Sequence, residues 1–399
     1  MVFAWSQFGP YHMDRCEALA HALAGQREVI GLELFSDGEV YAWAPSGAGQ
    51  AFRKETLFAG QRLSQVAAWR QFAALLSASL RSRAKHVFLC DYYLPQTFFS
   101  ALLLRLFGRR VIIMQDSKFD DKPRSLWREL GKTLLYLPYN AALVGSTRSK
   151  AYLEFLGKPA HRVVIGYDTV SLERVQRLAG AEPAPGGTPY AEREFTAIAR
   201  FVPQKNLDLV LDAYATYRRQ CSDRPRGLSL CGAGPLEAAL KARVAREGIA
   251  GVRFGGWLDE AGIARMLATS LALILPSVEE PFGLVSNEAI ALGVPLLIAE
   301  NCGARDLLLR SGVNGYMIEP DNAQGLAYFM ELFARDEAAW RRLAENTQRF
   351  RATADTAYFV AGVAEVLRRL DGRRAEQPVR GAAAEDALSS GYRRAPIDE

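Results

Sequence analysis

Residues 271–299 read LALILPSVEEPFGLVSNEAIALGVPLLIA, and the order of patterns within them decides the fold. An apolar run, LALILP, is followed by a polar loop, SVEEPFG. A short helical pattern over 287–292 then ends at Gly293 and Pro295, residues that stop a helix. A second apolar run, VPLLIA, begins at once. Neither run alternates with polar residues, as expected of strands covered on both faces. Two such strands joined through a helix run parallel, linked by a right-handed crossover.

The same rhythm extends in both directions. Apolar, β-rich runs stand at 1–7, 29–35, 86–91, 111–115, 141–145 and 163–167, then at 195–201, 227–231, 252–255, 272–276, 294–299 and 315–318. Helical patterns lie between them, for example at 65–83 and 207–219. Ser146 caps a helix that Gly157 and Pro159 close. The chain of 399 residues exceeds what one core fills, and residues 179–192, AGAEPAPGGTPYAE, have the composition of a linker. The expected fold class is α/β, with two Rossmann-like, doubly wound parallel-sheet domains facing across a cleft. The first covers 1–178 and binds acceptor; the linker is 179–192. The second covers 193–355 and binds donor. A helix at 356–372 is expected to pack back on the first domain, and 373–399 to form a disordered tail.

Composition narrows the function. Apolar residues are 49% and charged residues 23%, which excludes a disordered or fibrous chain. No apolar run approaches the roughly 18–20 residues that span a bilayer. The opening MVFAWSQFGPYHMDR lacks the basic start of a secretory signal. Five scattered cysteines without a CxxC pair read as reduced thiols in a cytoplasmic protein, with no structural zinc. Residues 1–180 carry 23 Lys and Arg against 15 Asp and Glu, whereas the remainder carries 26 against 29. A basic first half suits an anionic partner, such as a phosphate-bearing substrate or a membrane face, or is simply a solvated surface. No nucleic-acid partner is expected.

Ligands of open parallel sheets bind beyond the carboxyl ends of the strands, so the informative residues are those just after the runs. Glu280 lies in the loop after LALILP, and Glu288 near the start of the following helix. One carboxylate can accept bonds from sugar hydroxyls, the other from a ribose diol; the plainer reading is a surface acid and a dipole-favoured first-turn residue. Gly283 lets backbone approach a ligand. In ARFVPQKN, Arg200 and Lys205 flank a turn at the end of 195–201 and can converge on phosphate. The turns CGAGP, with Gly232 and Gly234, and FGGW, ending at Trp257, follow the next two runs, and neither completes a dinucleotide or P-loop fingerprint. Gly303 is suited to bring amides to an anion. In the first half, Gly9 makes a tight turn beside His12, and Asp116 stands at a strand tip. Lys118 and Arg124 belong to a mixed charge cluster, MQDSKFDDKPR, that either binds acceptor or is solvated.

Taken in order, ARFVPQKN, CGAGP, EPFGLVSNEAIALGVP and NCGARD…SGVNGYMIEPDN resemble the retaining nucleotide-sugar glycosyltransferases of family 4, which have the GT-B fold. The motifs lie within 199–321. The resemblance implies that Arg200 and Lys205 neutralise the donor diphosphate and that Glu288 binds the ribose. Glu280 would hold the transferred sugar, with amides around Phe282, Gly283 and Leu284 completing the anion site. It implies a nucleotide-sugar donor, commonly a UDP-sugar, a glycan, lipid-linked or small-molecule acceptor, and no cofactor or metal. Many relatives carry a Gly-Gly pair where this chain has only Gly9, and a histidine where it has Asp116. Three other readings are a glycosidase, a non-catalytic nucleotide-sugar sensor and a GT-B sugar-nucleotide epimerase. LLLRLFGRR (102–110) and SLWRELGKTLLYLPY (125–139) read first as core-facing helices with exposed cations; the alternative is peripheral membrane contact on the cytoplasmic face.

Overall fold

The apolar runs form two all-parallel sheets. In a computed structural model, which describes residues 1–38, 43, 46–122, 124–221 and 224–372, the first sheet contains β1 (Val2–Trp5), β2 (Ile30–Phe35), β3 (Arg53–Phe58), β4 (His86–Leu89), β5 (Arg110–Gln115), β6 (Ala141–Val144) and β7 (Val163–Ile165). Its order is β3-β2-β1-β4-β5-β6-β7. The second holds β8 (Glu194–Ile198), β9 (Leu228–Cys231), β10 (Val252–Gly256), β11 (Ser270–Leu275), β12 (Leu296–Ala299) and β13 (Gly315–Ile318), ordered β10-β9-β8-β11-β12-β13. Strand order reverses between β1 and β4 and again between β8 and β11. Those are the two places where a crevice opens above the sheet. The tail expected at 373–399 lies outside the described residues.

Strand β3 had no counterpart among the apolar runs. Its sequence, RKETLF, occupies the sheet edge, where only Phe58 is buried. An edge strand has one covered neighbour and needs no continuous apolar run. It is held partly by charge, since Lys54 pairs at 2.8 Å with Glu33 on β2.

The division between domains also differs from the expected one. The helix Leu172–Ala179 belongs with the second domain, not the first. Its Leu172, Val175 and Ala179 share a core with Leu267, Ile290 and Leu292, and Gln176 Nε2 donates to Ala291 O at 2.8 Å. The 179–192 stretch then runs along the second domain, with the Ala184 amide bonded to Leu292 O at 2.8 Å. The chain therefore crosses near 168–171, upstream of the proline-rich segment. Composition marked a loop, but three buried apolar residues on one helix face decided the side.

The chain returns at 354–356. There Val170 N donates to Ala354 O at 3.2 Å and Thr356 N to Val170 O at 3.1 Å, so the outgoing and returning strands pair in parallel. Asn287 Nδ2 bridges both crossings, donating to Asp168 O and Ala354 O at 3.2 and 3.0 Å. The final helix, Thr356–Asp371, packs Phe359, Val363 and Val366 against Phe3, Phe88, Ile112 and Leu143 of the first domain.

Candidate active site

On the second domain, β8 ends in the loop that carries Arg200, exposed, and the short turn Pro203–Lys205. Lys205 Nζ donates to the Glu280 carboxylate, which also accepts Ser277 Oγ at 3.1 Å. Glu280 is buried, so cation and acid form one unit at the cleft wall. The CGAGP turn supports that loop from behind. Gly232 has φ +136°, and a Cβ there would lie 1.8 Å from Ala199 O, so no other residue fits. Gly234 lies against Phe201, whose amide donates to Ala233 O at 2.9 Å. These glycines thus serve packing, by seating the cationic loop. Trp257, just past β10, is exposed.

After β11, Gly283 (φ +99°) allows the loop to fold over Leu275, whose Cδ2 would be 2.7 Å from an added Cβ. Phe282 is buried, and its carbonyl accepts the Ala304 amide and Cys302 Sγ at 2.9 and 2.8 Å. The Gly303 amide, expected to face an anion, is instead donated to Glu280 O at 3.1 Å. Leu284 leads into the helix Val285–Ala291, in which the Ser286 amide donates to Gly283 O at 3.0 Å and the Asn287 amide to Leu284 O at 2.9 Å. Glu288 sits in its first turn and is buried. Tyr11 of the first domain donates its hydroxyl to Glu288 Oε1 at 3.1 Å, while Oε2 has no partner among the described residues. Burial pushes the Glu288 carboxyl up to about 7; Tyr11 and Arg174 pull against it, and the charges of Glu260 and Asp14 add to it.

On the first-domain side, Asp116 follows β5. Burial, and next the charge of Asp168, raise its carboxyl well above the ordinary range. Asp168, after β7, was not singled out from the sequence. Its signal was an acid directly beyond a strand tip, in GYDTV. It pairs with buried Arg15 at 3.3 Å and keeps Oδ2 unpartnered among the described residues. The charges of Asp121 and, from the second domain, Glu280 push the Asp116 carboxyl in the same direction as Asp168 does.

Three residues expected to bind acceptor are tied up structurally. His12 Nδ1 accepts the Gly9 amide at 2.9 Å and its ring lies among Trp5, Phe8 and Trp43. Burial, then Arg15, push its pKa well down, so it is a neutral cap at the start of the helix Pro10–Ala22. Gly9 packs on the Trp43 ring. Lys118 is fully buried, with Nζ 2.5 Å from Asp121 Oδ1. Arg124 donates to the carbonyls of Phe119 and Lys118 and to Tyr152 Oη. A buried cation needs its partner: Asp121 claims Lys118, and the two carbonyls with Tyr152 Oη claim Arg124.

A latch joins the domains beside this centre. Asp306 Oδ2 accepts Thr147 Oγ1 at 2.8 Å and the Arg148 amide at 3.0 Å, and its Oδ1 accepts Arg148 Nε at 3.0 Å. Arg148 also donates to the carbonyls of Glu300 and Cys302 at 2.9 and 2.5 Å. An opening of about 490 Å³ beside it is lined by Phe119, Tyr152, Phe155, Arg148, Asn301 and Arg305. Because one guanidinium makes most of these bonds, Arg148→Ala should loosen closure. Small-angle scattering should show a larger radius of gyration than wild type, and an unchanged radius would count against the latch. Among the described residues, no group of three or more His, Cys, Asp or Glu side chains is arranged to hold a metal ion.

Residues 181–350 match the family model for glycosyl transferases group 1. Among solved structures, HepE of Anabaena in complex with UDP and glucose superposes with a TM-score of 0.68 at 18% identity, covering 92% of this chain and 98% of that one. Two facing parallel-sheet domains with such a neighbour define the GT-B fold. In sequence, the chain is similar to a glycogen synthase of Mycobacterium tuberculosis, 33% identical over 174 residues, 42% of this chain and 41% of that protein. It is also similar to a D-inositol 3-phosphate glycosyltransferase of Jonesia denitrificans, 36% identical over 195 residues, 45% of each chain. The matches thus span less than half the length of these curated relatives.

Proposed function

We propose that the chain is a retaining, metal-independent glycosyltransferase of the family 4 type. It moves a sugar from a nucleoside-diphosphate sugar, in the first instance a UDP-sugar, to a glycan, lipid-linked or small-molecule acceptor in glycan biosynthesis. The observation that carries this reading is the Lys205–Glu280 unit at the strand tips, together with Glu288 in the next helix, whose buried Oε2 is unpartnered among the described residues. Lys205 and Arg200 stabilise the leaving diphosphate as charge develops on it. Glu280 holds the sugar and positions Lys205. Glu288 accepts the ribose hydroxyls, and Trp257 offers an exposed face just past β10, the outermost strand of the same sheet. Asp116, its carboxyl kept protonated further up the pH scale by burial, donates to a sugar hydroxyl. In a retaining transfer the acceptor adds on the face that the diphosphate leaves, and the diphosphate takes the acceptor proton. All five cysteines are free thiols, which suits a cytoplasmic setting where nucleotide sugars are made.

A panel of nucleotide sugars screened by thermal shift, then by donor turnover with and without EDTA, tests the reading. Stabilisation by one donor and turnover unaffected by EDTA are expected. Binding without turnover toward any acceptor would favour the non-catalytic sensor.

Glu288 supplies a pH signature. Its folded-state value, about 7, lies above the ordinary 4.5. The acid form is therefore the one the fold favours: its contribution is whole below about 4.5 and is lost as pH rises through about 7. The ionised form accepts the ribose diol better, so donor affinity should rise across the same interval. Glu288→Gln should flatten both profiles. Retention of both pH profiles in that variant would remove Glu288 from this role.

A further inference from the structure

One helix of the first domain is packed inside out. In Leu126–Leu135 the polar residues face inward: Glu129 is buried, its Oε2 accepts Tyr152 Oη at 2.5 Å, and Lys132 Nζ donates to the same Oη at 2.7 Å. The apolar side chains face out. Leu126 is 68% exposed, Trp127 81%, Leu130 52% and Leu134 61%, with Leu137 beyond the helix at 60%. The neighbouring helix Pro95–Leu106 buries Ala101 and Leu104 in the core beside Gln96, Thr97 and Ser100, and adds Phe99, Leu102 and Leu106 to the exposed apolar face. Arg105 joins the two by donating to Leu137 O. The expectation that these stretches face the core holds for Leu104, Tyr136 and Tyr139, which are buried in the first-domain core, and fails for the exposed face of 126–137. A surface helix of a water-soluble domain shows the opposite arrangement, and contiguous outward leucines mark a docking face.

Charge decides what docks. Arg105, Arg110, Lys122 and Arg128 are exposed around the stripe. Among the described residues of 93–137, the well-exposed acid is Asp120, and it is already paired with Arg148 and Lys118. A second copy on the same face would bring these cations against their own counterparts. We infer that this face lies on an anionic lipid bilayer, with Trp127, Leu130 and Leu134 in the interfacial layer and the cations on the headgroups. No helix among the described residues is long and apolar enough to cross a membrane, so the contact is with the surface. This inference does not depend on the proposed transfer reaction.

The test is co-sedimentation of the full chain with vesicles of phosphatidylcholine alone or mixed with phosphatidylglycerol. Binding to the anionic vesicles should exceed that to neutral ones by about tenfold or more and weaken with salt. Trp127→Glu and Leu130→Glu, both at exposed positions, should lower the bound fraction about tenfold with an unchanged melting temperature. The wild-type tryptophan emission should shift to the blue on adding anionic vesicles, and Trp127→Phe should abolish that shift. This last reading holds even if a charged variant misfolds. Absence of binding to anionic vesicles, or binding indifferent to Trp127 and Leu130, overturns the inference. So does a wild-type dimer in solution that Leu130→Glu splits, because the face would then belong to a second copy.

Discussion

Lys205→Ala is expected to lower turnover with the nucleotide-sugar donor by roughly 2–4 kcal/mol, a factor of about thirty to a thousand, because it removes a fixed cation from the charge that develops on the leaving group. The Glu280 pairing offers a competing cause, since deleting the lysine leaves a buried carboxylate without its counter-ion. The double variant Lys205→Ala/Glu280→Gln separates the two. If the stranded acid were the whole defect, neutralising it would restore turnover. If the cation acts on the diphosphate, the double variant stays at least as slow as the lysine variant. Arg200→Ala should slow the reaction in the same sense. Wild-type kinetics in the Lys205 variant would remove the electrostatic role, and with it the mechanism proposed for this cleft.

Phe359→Ala should produce the largest loss of stability. The ring is fully buried, with its centroid 5.8 Å from that of Phe3, which itself stacks on Phe88 at 4.3 Å. Emptying such a site costs about 3–5 kcal/mol, a large part of a total stability of about 5–15 kcal/mol. The melting temperature should fall on the order of 10 °C. The readout should follow the first domain separately, because two domains need not melt together. A melting temperature within a degree of wild type would show that this helix contributes little to the fold.

What was legible in the chain followed from burial. Twelve of the thirteen described strands coincide with apolar runs, because strands covered on both faces, as most of these are, favour apolar side chains. The remaining strand, β3, sits at an edge, where RKETLF satisfies the same backbone geometry with half its surface wet. Ser146 was legible as a cap for a chemical reason, since its Oγ accepts the Ser149 amide at 3.1 Å. The second-domain candidates could be picked out because Lys205, Glu280 and Gly283 lie in loops beyond β8 and β11, and Glu288 in the first turn of the helix that follows. The first-domain side was not legible. Lys118 and His12 are polar residues near strand ends, and only three-dimensional packing shows that Asp121 and the Gly9 amide already occupy them. Tyr11 and Asp168 were missed because their partners, Glu288 and Arg15, lie far away in the chain. The outward leucines of 126–134 have helical spacing, and spacing alone cannot say toward which side a stripe points.

The paired crossings at Val170 and Asp355 mean that the second lobe is one unbroken stretch of chain, whereas the first is completed by the helix that follows it. A chimera cut within the proline-rich stretch would carry a helix into the wrong half and leave the Phe3 surface bare. Recombination aimed at trading donor or acceptor preference should therefore swap residues 169–354 as an internal cassette, keeping the two ends of the polypeptide together.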